Sequence, residues 1–363
     1  MPGFTFLVGK GIPPVAAYEI DVDAMIDFLV GLLNIPSPTG FHEMAIDYCE
    51  THFAGLPIRW GRSRKGALVG TWDGRSDSAP RALTAHVDTL GGMVARIKSS
   101  GRLKLTQLGG WAWGSVEGEG VTIYTRSGKT MRGTIVPTRA SVHIYGPEAR
   151  DFKRDEEAYE VRLDARTSSA QETEALGVGV GDFVVFDPRV EVGEAGFIRS
   201  RHLDDKASIA CIYAAARALA AAGLQPAQRT TIHISNYEEV GHGGASGFPS
   251  DLAELLTVDM AAAGGPQNSD EFSVGICVKD SGGPYHIEMR RRLVQLCEQA
   301  DIPYKLDIYP YYGSDGEAFW RAGGDVIVGL VGPGVDASHH YERTHVDSLA
   351  ATARLLAEYL LAE

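Results

Sequence analysis

The chain has little cysteine, and its cysteines are far apart. Four of its 363 residues are cysteine, and no two of them form a CxxC pair. This spacing excludes the disulfide framework on which small secreted domains depend. Cys211 and Cys297 lie in apolar patterns with helical spacing, so we expect free, buried thiols.

The chain also lacks a long hydrophobic run and an excess of basic residues. No run approaches the roughly 18 consecutive apolar residues that a membrane-spanning helix requires. Residues 1–14 do not show the basic region, long apolar run and cleavage site of a signal peptide. The formal net charge is -13, whereas nucleic acids and anionic membranes attract basic surfaces. We therefore expect a cytoplasmic protein that binds neither nucleic acid nor a membrane.

The length of the chain and a change in its local sequence pattern indicate one large domain interrupted by a smaller one. A chain of 363 residues exceeds the usual size of a single hydrophobic core. From about Met93 to Phe197 the sequence is rich in glycine and in short alternating runs, which are typical of a small β-barrel or sandwich. Strands alternate with helices on both sides of this segment. We predict a three-layer α/β domain made of residues 1–94 and 195–363, with a β domain inserted at residues 95–194.

Five short motifs place His, Asp or Glu at predicted strand ends or turns. They are His86-Val87-Asp88, Asp204-Asp205-Lys206, Glu238-Glu239-Val240-Gly241, Asp259, and His339-His340. Two histidines and three carboxylates, with one further glutamate, are the donors that a paired zinc, manganese or cobalt site needs for amide hydrolysis.

Each motif alone has an ordinary structural alternative. His86 could be a core histidine, or Asp88 could accept a hydrogen bond from its imidazole and so fix the tautomer of a metal ligand. Asp204 precedes a long apolar helix, where it could cap the helix or bridge two metals held about 3.5 to 4 Å apart. In the second case Asp205 is left to cap. Glu238 and Glu239 could be solvated charges, or could converge on one site where the strand gives way to glycines.

In this order, the motifs resemble the glutamyl aminopeptidase and tetrahedral aminopeptidase family of cytosolic metallopeptidases with two catalytic metals. The likeness covers nearly the whole chain through residues 34–40, 86–94, 109–111, 203–206, 238–241 and 314–316. It implies a phosphorylase/hydrolase-like α/β domain of the zinc peptidase type, carrying an inserted β-barrel. It also implies a homo-oligomer, from a dimer to a dodecamer, assembled through the inserted domain.

The resemblance assigns a role to each motif. One metal would be bound by Asp204, Glu239 and His339. The other would be bound by His86, Asp204 and Asp259. Glu238 would be the general base, and Asp88 would support catalysis beside His86. The metals would be two divalent ions per chain, zinc before cobalt or manganese. Substrate contacts are assigned to His242, Ser314 and Asp315.

The chain departs from the family pattern at three positions. Lys206 stands where arginine is usual, and His340 where serine is usual after the metal histidine. Either His339 or His340 can therefore be the last ligand, and His339 is preferred. His242 replaces an apolar residue in the turn after the base, where it could contact substrate.

Several functions remain open on the sequence. The first is an aminopeptidase that removes the N-terminal residue of short peptides. Residues 336–339 and 341–345 also resemble a subgroup associated with a blocked glutamine dipeptide osmolyte, which favours a dipeptidase or amidohydrolase. An endoglucanase-like glycoside hydrolase would need two carboxyl groups across a sugar bond and would leave His86 and His339 without a role. A metal-bound scaffold without activity would have no use for Glu238.

Overall fold

The computed structural model describes residues 18–363. The helices in this part of the chain are α1 Val22–Leu33, α2 Glu43–Phe53, α3 Val142–Tyr145, α4 Ala170–Ala175, α5 Leu203–Ala221, α6 Ile287–Gln299, α7 Asp315–Arg321 and α8 Val346–Leu361. The strands of the first half are β1 Ile58–Arg62, β2 Leu68–Trp72, β3 Ser76–His86, β4 Gly91–Ile97, β5 Leu103–Leu108, β6 Gly120–Tyr124, β7 Thr130–Pro137, β8 Tyr159–Leu163 and β9 Phe183–Phe186. Those of the second half are β10 Glu191–Val192, β11 Phe197–Ser200, β12 Gln228–Ser235, β13 Glu254–Val258, β14 Ala261–Ala263, β15 Val274–Lys279, β16 Tyr304–Ile308, β17 Ile327–Asp336 and β18 Glu342–His345.

A large mixed sheet forms the α/β part, with the strand order β1-β2-β12-β3-β13-β17-β18-β11-β10. Its centre is parallel, because β12, β3, β13 and β17 pair in that way with their neighbours. The last seven residues of β3 are all buried, as expected for a parallel strand covered on both faces. The carboxyl ends of these central strands therefore lie at one edge of the sheet.

Helices cover both faces of this sheet. Leu83 of β3 packs into the core that contains α1, α5 and α8. Its neighbour Ala82 points to the opposite face, where it packs in the cluster that also contains Phe319 and Trp320 of α7. This alternation is the two-residue period of a strand, and it gives the predicted three-layer α/β arrangement.

Six strands outside the large sheet close into an antiparallel barrel in the order β4-β5-β8-β7-β6-β9. The barrel has its own buried cluster, which includes Val121, Ile123, Val161 and Val184. The predicted combination of an α/β domain with an inserted small β-barrel is confirmed. The barrel strands extend from Gly91 to Phe186, and β10 pairs in the large sheet. The division of the chain at residues 94 and 194 stays a prediction.

The small-residue stretch at residues 261–266 predicts an unstructured segment, yet its start is a strand. Ala261–Ala263 form β14, which pairs in parallel with residues 334–336 at the end of β17. Small residues carry no alternation of apolar and polar side chains, so the pairing depends on the length of β17 instead of on a local pattern.

Lys206, which replaces the arginine usual in the resembling family, is buried inside α5. Its ammonium group donates hydrogen bonds to the carbonyl oxygens of Leu32 (3.0 Å) and Ile35 (2.7 Å) at the end of α1. Burial lowers the pKa of Lys206 to about 7. The lysine thus satisfies carbonyl groups that a helix end leaves without partners, and it anchors α5 beside the site described below.

Two expectations from composition concern the described residues. Cys211 and Cys297 are free and buried, as predicted, and so are Cys49 and Cys277. Between residues 18 and 363, the structure contains no helix with the length and apolar character needed to cross a bilayer.

Candidate metal centre

The parallel strands bring three of the motifs to one edge of the large sheet. His86 is the last residue of β3, and it pairs in register with Ser235 at the end of β12. Glu238 and Glu239 follow β12 after a short turn, and Asp259 directly follows β13. Residues far apart in sequence therefore meet because carboxyl ends of neighbouring parallel strands share an edge.

Asp204 lies between two histidines. Its Oδ1 is 3.2 Å from Nε2 of His86, and its Oδ2 is 3.4 Å from Nε2 of His339. The Ser338 hydroxyl also donates a hydrogen bond to Oδ2, at 2.9 Å. Each oxygen of one carboxylate thus faces a different imidazole, which is the arrangement that a carboxylate shared by two cations requires.

The tautomers of both histidines follow from their backbone partners. Nδ1 of His86 lies 2.9 Å from the carbonyl oxygen of Asp88, and Nδ1 of His339 lies 2.8 Å from that of Gly110. A carbonyl oxygen only accepts hydrogen bonds, so Nδ1 carries a proton in each ring. Nε2 is therefore the ring atom that faces the carboxylates, and it is the atom available to a metal.

The other carboxylates complete a compact donor set. Glu239 Oε2 is 3.6 Å from Nε2 of His339. Donor atoms of His86, Asp204 and Glu239 lie within 4.8 Å of one another, and so do those of His86, Asp205 and Asp259. The two groups share His86, and together they contain four carboxylates.

Asp205 was expected to cap α5, and the structure places it differently. Asp204 and Asp205 both have non-helical backbone angles at the start of α5. Oδ2 of Asp205 accepts a hydrogen bond from the backbone N–H of His86, at 3.3 Å. Because the chain bends here before the regular helix begins, the carboxylate lies against β3 and joins the donor set.

Charge in this cluster is poorly balanced by protein groups. Burial, together with the neighbouring Asp204 carboxylate, raises the pKa of Glu239 to about 8 and that of Asp259 to about 7. Asp205 Oδ1, Glu239 Oε1 and Asp259 Oδ1 are buried and have no hydrogen-bond partner. Buried carboxylates without partners are costly. A divalent cation would supply the missing charge, so the donor set fits the metals that the sequence analysis expects.

Without a bound metal, the two histidines provide the positive charge in this cluster. Burial lowers the pKa of His339, but hydrogen bonding to Asp204 and the Glu239 charge outweigh it and raise the pKa to about 11. Burial is likewise outweighed at His86, whose pKa rises well above its usual value because of Asp204 and the surrounding carboxylates. A cation bound at Nε2 would take the place of the second proton on each ring.

Glu238 faces an open cavity beside these donors. Its Oε2 lies 3.7 Å from Nε2 of His86. Burial, with added repulsion from Asp259, raises the pKa of Glu238 well above its usual range. The cavity has a volume of about 580 Å³ and is lined by Gly110, Asp204, Glu238, Glu239, Gly241, Asp259, Met260, Ala262, Tyr311, Tyr312, Gly313, Ser338 and His339. A carboxylate beside such a cavity can exchange protons with a bound molecule.

Comparison with known proteins identifies the family. The profile of the M42 glutamyl aminopeptidase family matches residues 66–355. The chain belongs to this family. As an M42 peptidase it is a hydrolase, and the family predicted from the motifs is confirmed.

Individual proteins support this assignment. The M42 chain is 49% identical over 335 residues to YhfE of Bacillus subtilis (strain 168), a candidate aminopeptidase by name, and the match covers 92% of this chain and 96% of that protein. The fold matches the TET aminopeptidase of the marine sediment archaeon Thaumarchaeota archaeon SCGC AB-539-E09, with a TM-score of 0.84, 19% identity and coverage of 94% and 96%. It also matches Pyrococcus horikoshii TET1 peptidase, which assembles into a tetrahedron or a large octahedral shell, with a TM-score of 0.81, 19% identity and coverage of 93% and 100%. The two structural matches concern the fold.

Asp88 of this M42 peptidase acts through different atoms from those expected. The expected acceptor for the His86 imidazole was the Asp88 carboxylate, but Oδ1 is 3.7 Å from Nδ1 and the backbone carbonyl is the closer partner. The carboxylate instead accepts hydrogen bonds from the Thr39 hydroxyl (2.6 Å) and from the backbone N–H groups of Glu238 (3.2 Å) and Glu239 (3.4 Å). Asp88 therefore holds both the histidine and the turn that carries the two glutamates.

Ser314 and Asp315, which were assigned to substrate, do not line the cavity. The Ser314 hydroxyl caps α7 and lies 2.7 Å from the Tyr285 hydroxyl. The buried Asp315 carboxylate accepts hydrogen bonds from the Ser235 hydroxyl and, at 2.5 Å, from the Gly244 N–H. Their polar groups have protein partners, and their contact with substrate stays a prediction. Asp315 instead ties the end of β12 to the glycine turn after Glu239.

His242 also lies outside the cavity lining. It is exposed, and its ring stacks on that of Tyr237 with centroids 5.3 Å apart. The Lys65 ammonium group donates hydrogen bonds to the carbonyl oxygens of His242 and Gly243. These contacts fix the turn behind Glu238, and the contact of His242 with substrate stays a prediction.

The cavity lining and side-chain exposure distinguish His339 from His340. His339 lines the cavity, whereas His340 is exposed and its Nδ1 accepts a hydrogen bond from the N–H of Tyr341, at 2.8 Å. The preferred residue, His339, is the one placed beside Asp204 and Glu239.

Glu342 is a supporting residue that the motifs did not reveal. One carboxylate oxygen accepts the backbone N–H of Asp204 and the other that of His339, each at 3.1 Å. Burial, with the nearby Asp204 charge, raises the pKa of Glu342 to about 8. In the sequence, only its position three residues after His339 pointed to a role at the site. A glutamate in a charged segment gives no indication of which backbone N–H groups it binds.

Proposed function

We propose that this M42 peptidase is a metal-dependent aminopeptidase that hydrolyses the N-terminal peptide bond of short peptides with two divalent cations. The observation that carries the proposal is the position of the Asp204 carboxylate, whose two oxygens face Nε2 of His86 and Nε2 of His339. The buried carboxylate oxygens without partners support it, since they are ready donors for hard or borderline cations.

In this proposal Asp204 is shared by both cations. Glu239 and His339 complete one set of ligands, and His86 and Asp259 complete the other. The donors are imidazole and carboxylate groups, which suit zinc, with cobalt or manganese as alternatives. When bound, the cations would polarise the scissile carbonyl and lower the pKa of the attacking water.

Glu238 is the general base of the proposal. It lies in the cavity wall, adjacent in sequence to the ligand Glu239, and Asp88 holds the backbone N–H groups of both. Its carboxylate would accept a proton from the attacking water and then deliver it to the nitrogen of the leaving amine. The Asp88 carbonyl keeps the proton of His86 on Nδ1. The lone pair of Nε2 therefore remains available to bind a cation throughout.

Loss and recovery of activity with metal tests this function. Dialysis of the purified protein against a chelator should abolish release of the N-terminal residue from aminoacyl amides and free dipeptides, and Zn²⁺, Co²⁺ or Mn²⁺ should restore it. The same assay on an N-blocked glutamine dipeptide and on a β-glucan tests the alternative functions. Full activity after complete removal of metal, or hydrolysis of the glucan alone, would contradict the proposal.

We further propose that the chain forms a homo-oligomer that admits short peptides and excludes folded proteins. The TET1 peptidase of Pyrococcus horikoshii assembles into a tetrahedron or a large octahedral shell, and the segments that connect the barrel strands of this chain expose large apolar side chains at Val142, Ile144 and Val180. Light scattering on the intact protein should give at least twice the chain mass of 39.0 kDa. A monomer at micromolar concentration would contradict this proposal. The cytoplasmic location stays a prediction.

A further inference from the structure

One wall of the cavity is apolar and aromatic. Beside the proposed metal ligands, the lining includes Met260, Ala262, Tyr311 and Tyr312. Gly313 adjoins the tyrosines and takes up no side-chain volume in the same wall. A cavity of about 580 Å³ falls within the roughly 300–1,000 Å³ of pockets that bind small ligands.

Tyr312 forms the fixed part of this wall. Its hydroxyl donates a hydrogen bond to the carbonyl oxygen of Met260 at 2.7 Å. Its ring packs beside that of Tyr309, with centroids 5.2 Å apart. Since the hydroxyl already has a partner, Tyr312 offers a bound molecule mainly its aromatic ring.

Tyr311 forms the free part. It is 99% exposed although it lines the cavity. An exposed aromatic ring that lies next to a fixed aromatic ring favours contact with apolar or aromatic groups. Such a contact at the rim would bury the Tyr311 ring when a substrate is bound.

The charged groups in the lining have one dominant sign. Asp204, Glu238, Glu239 and Asp259 contribute carboxylates, whose charge the bound cations would offset, and across the described residues the lining contains neither lysine nor arginine. The neighbouring Lys65 is directed to the carbonyl oxygens of the turn at residues 242–243. A carboxylate side chain of a substrate would find no protein cation here, and desolvation without a partner would disfavour it.

We propose that the wall formed by Met260, Ala262, Tyr311 and Tyr312 binds the side chain of the substrate's N-terminal residue, and that this residue is large and apolar, aromatic above all. Glutamyl and aspartyl substrates are disfavoured, in contrast to the glutamyl name of the family. The inference rests on the proposed aminopeptidase function, since it places the N-terminal residue next to the donors and Glu238.

The test compares aminoacyl p-nitroanilides of Phe, Leu, Ala, Lys and Glu on the Zn²⁺-loaded protein. The expected kcat/KM for Phe is at least tenfold above those for Glu and Lys. Tyr311→Ala should lower kcat/KM for Phe by roughly 2- to 10-fold, the effect of one aromatic contact. It should leave the Ala substrate within about twofold, because a methyl group is too short to use the wall. The matched control Tyr145→Ala removes an exposed tyrosine of α3 that does not line the cavity, and it should change neither value.

Calorimetric titration of L-phenylalaninamide and of glutamic acid α-amide separates this inference from the proposed function. Hydrolysis with Glu or Lys preferred, or an equal loss for Phe and Ala in Tyr311→Ala, overturns the wall assignment and leaves the aminopeptidase standing. If no substrate is hydrolysed but the Phe amide binds more tightly than the Glu amide, and Tyr311→Ala weakens that binding, the wall assignment is supported and the aminopeptidase function is overturned. Absence of both hydrolysis and preferential binding overturns both.

Discussion

Replacement of Glu238 by glutamine is expected to lower kcat by about 10²-fold or more, the range of general acid–base catalysis, with metal content unchanged. The physical reason is that Glu238 lines the cavity as a partly buried carboxylate, and its amide analogue keeps the shape but accepts no proton. Steady-state kinetics on an aminoacyl amide, with elemental analysis of the same sample, measures both quantities.

The adjacent Glu239→Gln is the matched control. It makes the same chemical change one residue away, at a side chain that lies 3.6 Å from Nε2 of His339. We expect this variant to lose metal, and to recover part of its activity at high metal concentration. Equal loss of metal in both variants would mean that the two glutamates do not have separate roles.

Asp204→Asn is expected to disturb both metal positions at once. One carboxylate faces both histidines, and an amide retains only one oxygen donor. The fall in metal affinity should therefore exceed the roughly 10- to 100-fold that loss of an outer partner of a ligand causes. Metal titration of the chelated protein, followed by the activity of each sample, measures it.

Ser338→Ala provides a graded comparison for this prediction. It removes only the hydroxyl that donates to Oδ2 of Asp204 and keeps the carboxylate itself. The metal affinity of this variant should fall by no more than the roughly 10- to 100-fold that loss of an outer partner of a ligand causes. If Asp204→Asn retains two metals per chain and full activity, Asp204 does not bridge them.

Elements with a sustained period could be predicted from the sequence. The apolar residues at 43–53 and 287–300 recur at helical spacing and predict two helices, and the structure has α2 at Glu43–Phe53 and α6 at Ile287–Gln299. α7, with seven residues, was not predicted. It begins at a cap from Ser314 and packs on the turn after Glu239, so contacts distant in sequence support it more than a local period does.

The residues of the site were easier to name than their atomic roles. Motif order named His86, Asp204, Glu239, Asp259 and His339, and the structure brings these side chains close to one another. A spacing of two residues put Asp88 beside His86, but it did not distinguish the carboxylate from the backbone carbonyl as the acceptor. That choice depends on the turn after β12, which uses the carboxylate for its own N–H groups.

Asp205 and Asp315 show that packing among distant segments decides which groups a carboxylate contacts. A carboxylate at a helix start has the same sequence pattern whether it caps the helix or turns toward a neighbouring strand. For Asp205 the bend at the start of α5 decides the outcome, and for Asp315 the decisive feature is the hydrogen bonding to Ser235 and Gly244. Both features are set by packing among distant segments.

Anomalous X-ray diffraction at the zinc edge from crystals of the Zn²⁺-loaded protein would show whether Asp204 bridges two cations. We expect two anomalous peaks per chain, both in contact with the Asp204 carboxylate, one beside His86 and the other beside His339. No peak among these side chains, or a single fully occupied peak that does not touch Asp204, would contradict this expectation.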